Sequence, residues 1–112
     1  MIQLTTYKNK LHYVGFQIEG HANYSEYGTD IVCAAVSILS QTCVNAIQKI
    51  LKVEFRLKEN ADRGLVELMI TDRACDKMNE VSLLIESMEL GIRGVSELYP
   101  SYVKVNLKEV AS

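Results

Sequence analysis

The 112-residue sequence predicts an α+β fold: a single, mostly antiparallel sheet covered by two helices, in the order ββαββαβ. Five segments are rich in β-forming residues, and two longer ones repeat apolar residues at steps of three and four. There is no linker, internal repeat or low-complexity stretch between them. With 48% hydrophobic and 23% charged residues, the composition is typical of a globular chain, and residues 1–112 are expected to form a single domain.

The five predicted strands form two hairpins and one terminal strand. Residues 2–8 and 11–19 are joined by a short polar turn in which Asn tolerates left-handed geometry. Residues 53–58 alternate apolar and charged side chains, and a turn ending in glycine leads to a partner strand at 65–71. The last strand, 102–108, alternates in the same way.

The two predicted helices cover 30–51 and 75–98. Thr29 or Asp30 can cap the first helix, and Pro100 follows the second, where a helix should stop. The first helix has an apolar face formed by Val32, Val36, Leu39, Cys43, Ile47 and Ile50. The corresponding face of the second helix comprises Met78, Val81, Ile85, Met88, Ile92 and Val95.

Charge and cysteine usage exclude several classes of protein. A net charge of −2 argues against a general nucleic-acid binder, and no direct nucleic-acid partner is expected. Residues 31–48 carry no charge, but interspersed polar side chains favour a buried core helix over a membrane span. The amino terminus lacks a signal-peptide pattern. Three cysteines with spacings of 10 and 32 residues fit neither a disulfide framework nor a redox pair, and with two histidines no metal or cofactor is expected.

His21 and Cys33 are the candidate reactive residues. His21 lies at the start of a non-periodic loop over 20–29, and Cys33 is predicted in the first turn of the following helix, whose free N–H groups favour an anion. A histidine within hydrogen-bond reach could take the thiol proton and so activate the sulfur. Two alternatives stay open: Cys33 as a small buried hydrophobe, and His21 as a loop residue bonded to a backbone carbonyl. Cys43 and Cys75 are interpreted as structural.

Two neighbouring residues could support this pair. Asp30 could cap the helix or orient the His21 imidazole, and the sequence does not decide between these roles. Ser37 lies one helical turn beyond Cys33 on the same side, where its hydroxyl could bond the thiolate or a substrate, or bond back to its own helix.

The loop itself could bind a substrate. Gly20 and Gly28 would let it move or approach a bound chain closely, and Tyr24 and Tyr27 could cover an apolar group. The alternative is ordinary loop packing.

The run Gly20-His21-Ala22, followed after eight residues by the block 31–37 (IVCAAVS) preceded by Asp30, resembles the ribosomal-processing cysteine proteases called Prp. The resemblance implies that His21 is the general base and Cys33 the nucleophile of a peptidase dyad, with Asp30 and Ser37 as supporting residues. The loop, with Gly20, Ala22, Tyr24, Tyr27 and Gly28, would be a flexible cover that orders on substrate.

The same resemblance implies a substrate and a setting. The substrate would be the large-subunit ribosomal protein numbered twenty-seven, cleaved to remove a short amino-terminal extension. The protein would be cytoplasmic and a homodimer. Gln41-Thr42 stands where several relatives of the family carry a bulky residue and a glycine. This difference is expected to alter helix packing or the contact between subunits rather than the dyad. The rival hypotheses are a non-catalytic ribosome-assembly or peptide-binding module and a redox-sensing thiol protein.

Overall fold

A computed structural model describes residues 1–21 and 29–111, and within these ranges the backbone but not the side chains of Thr29 and Asp30. The elements are β1 (Ile2–Lys8), β2 (Tyr13–Glu19), α1 (Thr29–Asn45), a π-helical segment (Ala46–Leu51), β3 (Phe55–Asn60), β4 (Leu65–Ile70), α2 (Met78–Leu98) and β5 (Val103–Glu109). The predicted α+β class and the order ββαββαβ are confirmed.

The sheet has the strand order β3-β4-β2-β1-β5. The pairs β1–β2, β2–β4 and β3–β4 are antiparallel, while β1 and β5 are parallel, so the sheet is mostly antiparallel as predicted. Because side chains alternate along a strand, one face of β1, β2 and β4 contributes to the core, for example Leu4, Phe16 and Leu68. The opposite face carries Gln17 and Glu67, which are paired across the β2–β4 ladder.

Both helices bury most of the apolar faces that the sequence predicts. Val32, Val36, Cys43 and Ile47 of the first helical stretch lie in the core. In α2 the buried apolar positions are Met78, Val81, Ile85, Met88 and Ile92. By length and composition alone, Ile31–Leu51 could also cross a membrane. Core helices share this composition, and the buried side chains of the stretch pack into the hydrophobic core.

The boundaries differ from the predicted ones at several places. β3 spans Phe55–Asn60 instead of 53–58, and α2 begins at Met78 instead of residue 75. β2 begins at Tyr13 instead of residue 11, because Asn9 accepts the Leu11 and His12 amides in a turn that extends past Lys10. α1 begins at Thr29, one residue early, and ends in a π-helical segment instead of continuing regularly to 51. The wider π turn shifts the register of the helix face. Ile50, predicted to lie on the apolar face, is therefore exposed.

A buried carboxylate links α2 to the sheet. Glu89 is only 6% exposed and accepts hydrogen bonds from the hydroxyls of Thr6 (2.5 Å) and Tyr13 (3.2 Å). Arg93, one turn along α2, lies 3.7 Å from the same carboxylate. Burial and the Glu89 charge raise the pKa of Tyr13 to about 12, which keeps its phenol a donor. This network satisfies a charge that would otherwise be costly to bury.

Candidate active site

A cleft of about 350 Å³ opens between the first half of α1 and one end of the sheet. Its floor is apolar, with Ile2, Ile18, Val36, Leu65 and Val66. The polar and reactive groups around it are His21, Cys33, Ser37, Ser40, Glu59 and Asn60. The two candidate residues, His21 and Cys33, therefore line one cleft although they are twelve positions apart in the sequence.

Cys33 is the fifth residue of α1, so it begins the second helical turn instead of lying in the first turn as predicted. Its side chain is partly buried and packs against the core. Helical side chains tilt toward the helix amino terminus, which directs the Cys33 side chain back over the first turn. The amides of that first turn have no intrahelical partner, so the sulfur lies near groups that stabilise an anion.

His21 is exposed just after the end of β2 and is held by two contacts. Its Nε2 lies 3.3 Å from the carbonyl oxygen of Asp62, in the turn between β3 and β4. Its own carbonyl accepts a hydrogen bond of 2.8 Å from the Met1 nitrogen. The backbone-carbonyl bond that the sequence left as an alternative for His21 is thus present. The ring nevertheless faces the cleft, and within the described structure it makes no hydrogen bond to Cys33.

The supporting residues are only partly described. Ser37, one turn from Cys33, is exposed and lines the cleft, and its hydroxyl bonds to none of the described residues. The nearby hydroxyl of Ser40 instead donates to the Ser37 carbonyl (3.1 Å). Because α1 begins at Thr29, Asp30 lies inside the helix and not at the cap position, which was one of the two roles that the sequence left open. Its side chain lies outside the description.

The predicted substrate loop falls largely outside the described residues. Ala22, Tyr24, Tyr27 and Gly28 belong to the undescribed segment 22–28. Gly20 is described and has a φ of +104°, in the region that glycine tolerates best. A Cβ at this position would collide with the Met1 carbonyl, so the close approach of β1 to the start of the loop requires glycine.

The sequence analysis missed the contribution of the β3–β4 turn. Asn60, Ala61 and Gly64 line the cleft, together with Glu59 at the end of β3. Gly64 has a φ of +59°, and the ring of His21 packs against it so closely that a Cβ would lie 2.9 Å from Cε1. The glycine ending a predicted hairpin turn was the available signal, but nothing local indicates that the turn meets His21.

The other cysteines have different surroundings. Cys43 is buried mid-helix, and burial raises the pKa of its thiol to about 12, as befits a structural residue. Cys75 is partly buried against the core, away from the cleft. Across residues 1–21 and 29–111 no group of three or more His, Cys, Asp or Glu side chains could hold a metal ion.

A larger, open depression of about 680 Å³ lies at the opposite end of the sheet. His12, Arg56 and Arg73 are on its rim, and no cysteine is among its lining residues. His12 instead contacts the Asn79 side chain at 2.8 Å. The smaller cleft is therefore the one whose chemistry matches the sequence, because it combines a thiol, an imidazole and an apolar floor. These are the groups of a cysteine-dependent hydrolase that acts on a peptide.

Comparison with known proteins extends this classification. The family model described as "Cysteine protease Prp" matches residues 1–104. The chain is similar to the ribosomal processing cysteine protease Prp of Staphylococcus aureus (strain Mu50 / ATCC 700699), with 29% identity over 91 residues, covering 81% of this chain and 83% of the relative. The corresponding protein of Bacillus subtilis (strain 168) is 28% identical over 93 residues, covering 82% and 83%.

Solved structures share the fold of this chain. The crystal structure of SMU.848 from Streptococcus mutans has a TM-score of 0.84 and 33% identity, covering 98% of this chain and 96% of that one. Prp from S. aureus in complex with a substrate peptide has a TM-score of 0.84 and 25% identity, covering 96% and 100%. The chain belongs to the Prp family of cysteine proteases.

Proposed function

We propose that this protein is a site-specific cysteine endopeptidase that removes the amino-terminal extension of the large-subunit ribosomal protein numbered twenty-seven. The observation that carries the proposal is that one cleft with an apolar floor contains both Cys33 and His21, in a chain of the Prp family. The curated relatives are named for ribosomal processing, and one solved relative holds a substrate peptide.

In the proposed reaction, His21 takes the proton of Cys33 and the thiolate sulfur attacks the scissile carbonyl carbon. Amides of the first turn of α1 stabilise the negative charge that develops on the carbonyl oxygen. The C–N bond breaks, and the amine leaves with the proton held by His21. Water then adds to the thioester, the C–S bond breaks, and the thiol and the new carboxyl end are released.

The lining of the cleft supports an extended peptide with apolar side chains. The floor residues Ile18, Val36 and Leu65 offer apolar contacts, while Glu59 places a carboxylate at the rim, where it has no ion-pair partner among the described residues. A basic substrate side chain would complement that charge. Ser37, with its hydroxyl not bonded to any described residue, is a supporting residue that can hydrogen-bond the substrate backbone or the thiolate.

The proposal includes a supporting role for Asp30 and a substrate-ordered cover built from Gly20, Ala22, Tyr24, Tyr27 and Gly28. It also includes one domain spanning residues 1–112, a cytoplasmic location and a homodimer. The helices offer exposed apolar side chains to a second copy: Ile31, Ile38, Leu83, Leu90 and Leu98. Light scattering at micromolar concentration would test the dimer, and a monomer mass would exclude it.

The test is to mix the protein with the extended ribosomal precursor and follow the intact mass, with Cys33→Ala as the inactive control. Loss of a short amino-terminal fragment with the native protein alone supports the proposal. The alternative is the peptide-binding module, which the cleft would also suit. Tight binding of the precursor by both proteins, with cleavage by neither, would establish that alternative and reject the peptidase.

A further inference from the structure

The contact between His21 and the β3–β4 turn determines which ring nitrogen is available to Cys33. A backbone carbonyl can only accept a hydrogen bond, so the Nε2 that faces the Asp62 oxygen at 3.3 Å must carry a proton. In the neutral ring, Nδ1 is then the unprotonated nitrogen. We infer that Nδ1 of His21 is the base that accepts the Cys33 proton, and that the turn, fastened by Arg63 and Glu19, positions it. This inference rests on the proposed peptidase function.

The β3–β4 turn is held in place by one ion pair and by two hydrogen bonds of the Arg63 backbone. The Arg63 guanidinium donates two hydrogen bonds to the same Glu19 oxygen, one from Nε at 2.8 Å and a second from a terminal nitrogen. The Arg63 carbonyl accepts the Gly20 amide at 3.0 Å, and the Arg63 amide donates to the Asn60 side chain at 3.3 Å. Arg63 thus ties the turn to the two residues that precede His21.

The proton transfer follows from this arrangement. The proton moves from Sγ of Cys33 to Nδ1, giving an imidazolium whose Nε2–H still donates to Asp62. The same proton then passes from Nδ1 to the amine that leaves when the C–N bond breaks. Asp62 acts through its backbone oxygen, as a positioning group for both forms of the ring. Arg63 and Glu19 are positioning residues one step further out.

Arg63 and Glu19 are not among the residues that line the cleft, and their ion pair is partly exposed, with side chains 57% and 35% accessible. An exposed pair contributes at most about 1 kcal/mol to the stability of the fold. A misplacement of a reacting group by about 1 Å, in contrast, can cost on the order of a hundredfold in rate. Breaking the pair should therefore affect catalysis far more than folding.

The kinetic test compares Arg63→Ala with Arg56→Ala, an arginine of the same hairpin that lies at the far end of β3 and has no ion-pair partner among the described residues. We expect Arg63→Ala to lower kcat roughly tenfold to a hundredfold with KM within about twofold. Arg56→Ala should retain native values. The exchanged pair Glu19→Arg/Arg63→Glu should recover part of kcat. Equal kcat for the two arginine variants, with both folded by circular dichroism, would overturn the positioning role.

The nitrogen assignment is tested without substrate. In a His12→Asn variant labelled with ¹⁵N-histidine, the one imidazole ring left in the chain is that of His21. Long-range ¹H–¹⁵N spectra, recorded at a pH where this ring is neutral, report which of its nitrogens carries the proton. We expect the Nε2–H form, and a larger share of Nδ1–H after Arg63→Ala. A neutral ring protonated on Nδ1 would overturn the inference. Because this measurement needs no cleavage, it tests the inference separately from the proposed function. Failure of the proposed function would appear instead as native protein that does not cleave the precursor.

Discussion

Replacement of Gly64 by alanine is the most informative perturbation of the site, because Gly64 lies directly under His21. An alanine Cβ would lie 2.5 Å from the Gly20 carbonyl oxygen and 2.9 Å from Cε1 of His21, whereas ordinary contacts begin at 3.4 Å. The required shifts are therefore 3.4 − 2.5 = 0.9 Å for the backbone oxygen and 3.4 − 2.9 = 0.5 Å for the ring.

The energetic cost has two parts. A φ of +59° lies in the left-handed region, which costs an L-residue roughly 1–2 kcal/mol, and displacement of the Gly20 backbone adds to this strain. The domain should tolerate a loss of this size, because folded domains are stable by about 5–15 kcal/mol. A ring moved by half an ångström or more should lower kcat at least about tenfold.

The assays are peptide cleavage and urea unfolding, with Gly94→Ala as the matched control. A Cβ at Gly94, inside α2, meets no atom within 4 Å, so alanine there should stabilise the helix by up to about 1 kcal/mol and leave kcat unchanged. A Gly64→Ala protein with native kcat would refute the argument that the turn fixes the position of His21.

Three further predictions concern other residues. Iodoacetamide at pH 7 should alkylate Cys33 at least about tenfold faster than Cys43, since burial raises the pKa of Cys43 to about 12 and leaves almost no thiolate there. Peptide mapping measures the two alkylation rates, and equal rates would contradict the prediction. Glu59→Lys should shift cleavage away from peptides with a lysine beside the scissile bond by up to about fivefold, as expected for an exposed charge pair, whereas an unchanged preference would remove Glu59 from the substrate site. The pKa of Tyr13, raised to about 12, exceeds its unfolded value near 10. The hydrogen bond from Tyr13 to Glu89 should thus stabilise the fold below pH 10, and this stabilisation should be lost as the pH rises toward 12. In urea unfolding, the free energy of unfolding should fall more steeply with alkaline pH for the native protein than for Tyr13→Phe. The same dependence on pH in both proteins would contradict the role of the Glu89 bond.

The sequence was most informative where periodicity is strong. The steps of three and four in α2 predicted its buried face. The alternation over 53–58 and 102–108 predicted two strands that the structure confirms as β3 and β5, shifted by two residues and by one. Ile50 was assigned wrongly because a regular helix was extended through the π-helical segment, where the residue register changes. Local propensity carries little information about such a change.

For the site, the motif around His21 and Cys33 predicted the two residues, and the structure places both in one cleft. The contribution of the β3–β4 turn could not be predicted, because the bond between His21 and Asp62 joins residues 41 positions apart. The pairing of β2 with β4 brings these segments together. The side chain of Asp30 lies outside the description, so its role stays a prediction.

The central claim is that Cys33 forms a covalent thioester with the substrate. Rapid acid quenching of the reaction with the extended ribosomal precursor, followed by intact and tandem mass spectrometry, tests it most directly. We predict a transient species whose mass exceeds that of the protein by the released amino-terminal fragment less one water, located on Cys33 and absent from Cys33→Ala. The account would be contradicted if both the native protein and Cys33→Ala cleave the precursor without forming an adduct. It would also be contradicted if the adduct is located on Cys43 or Cys75.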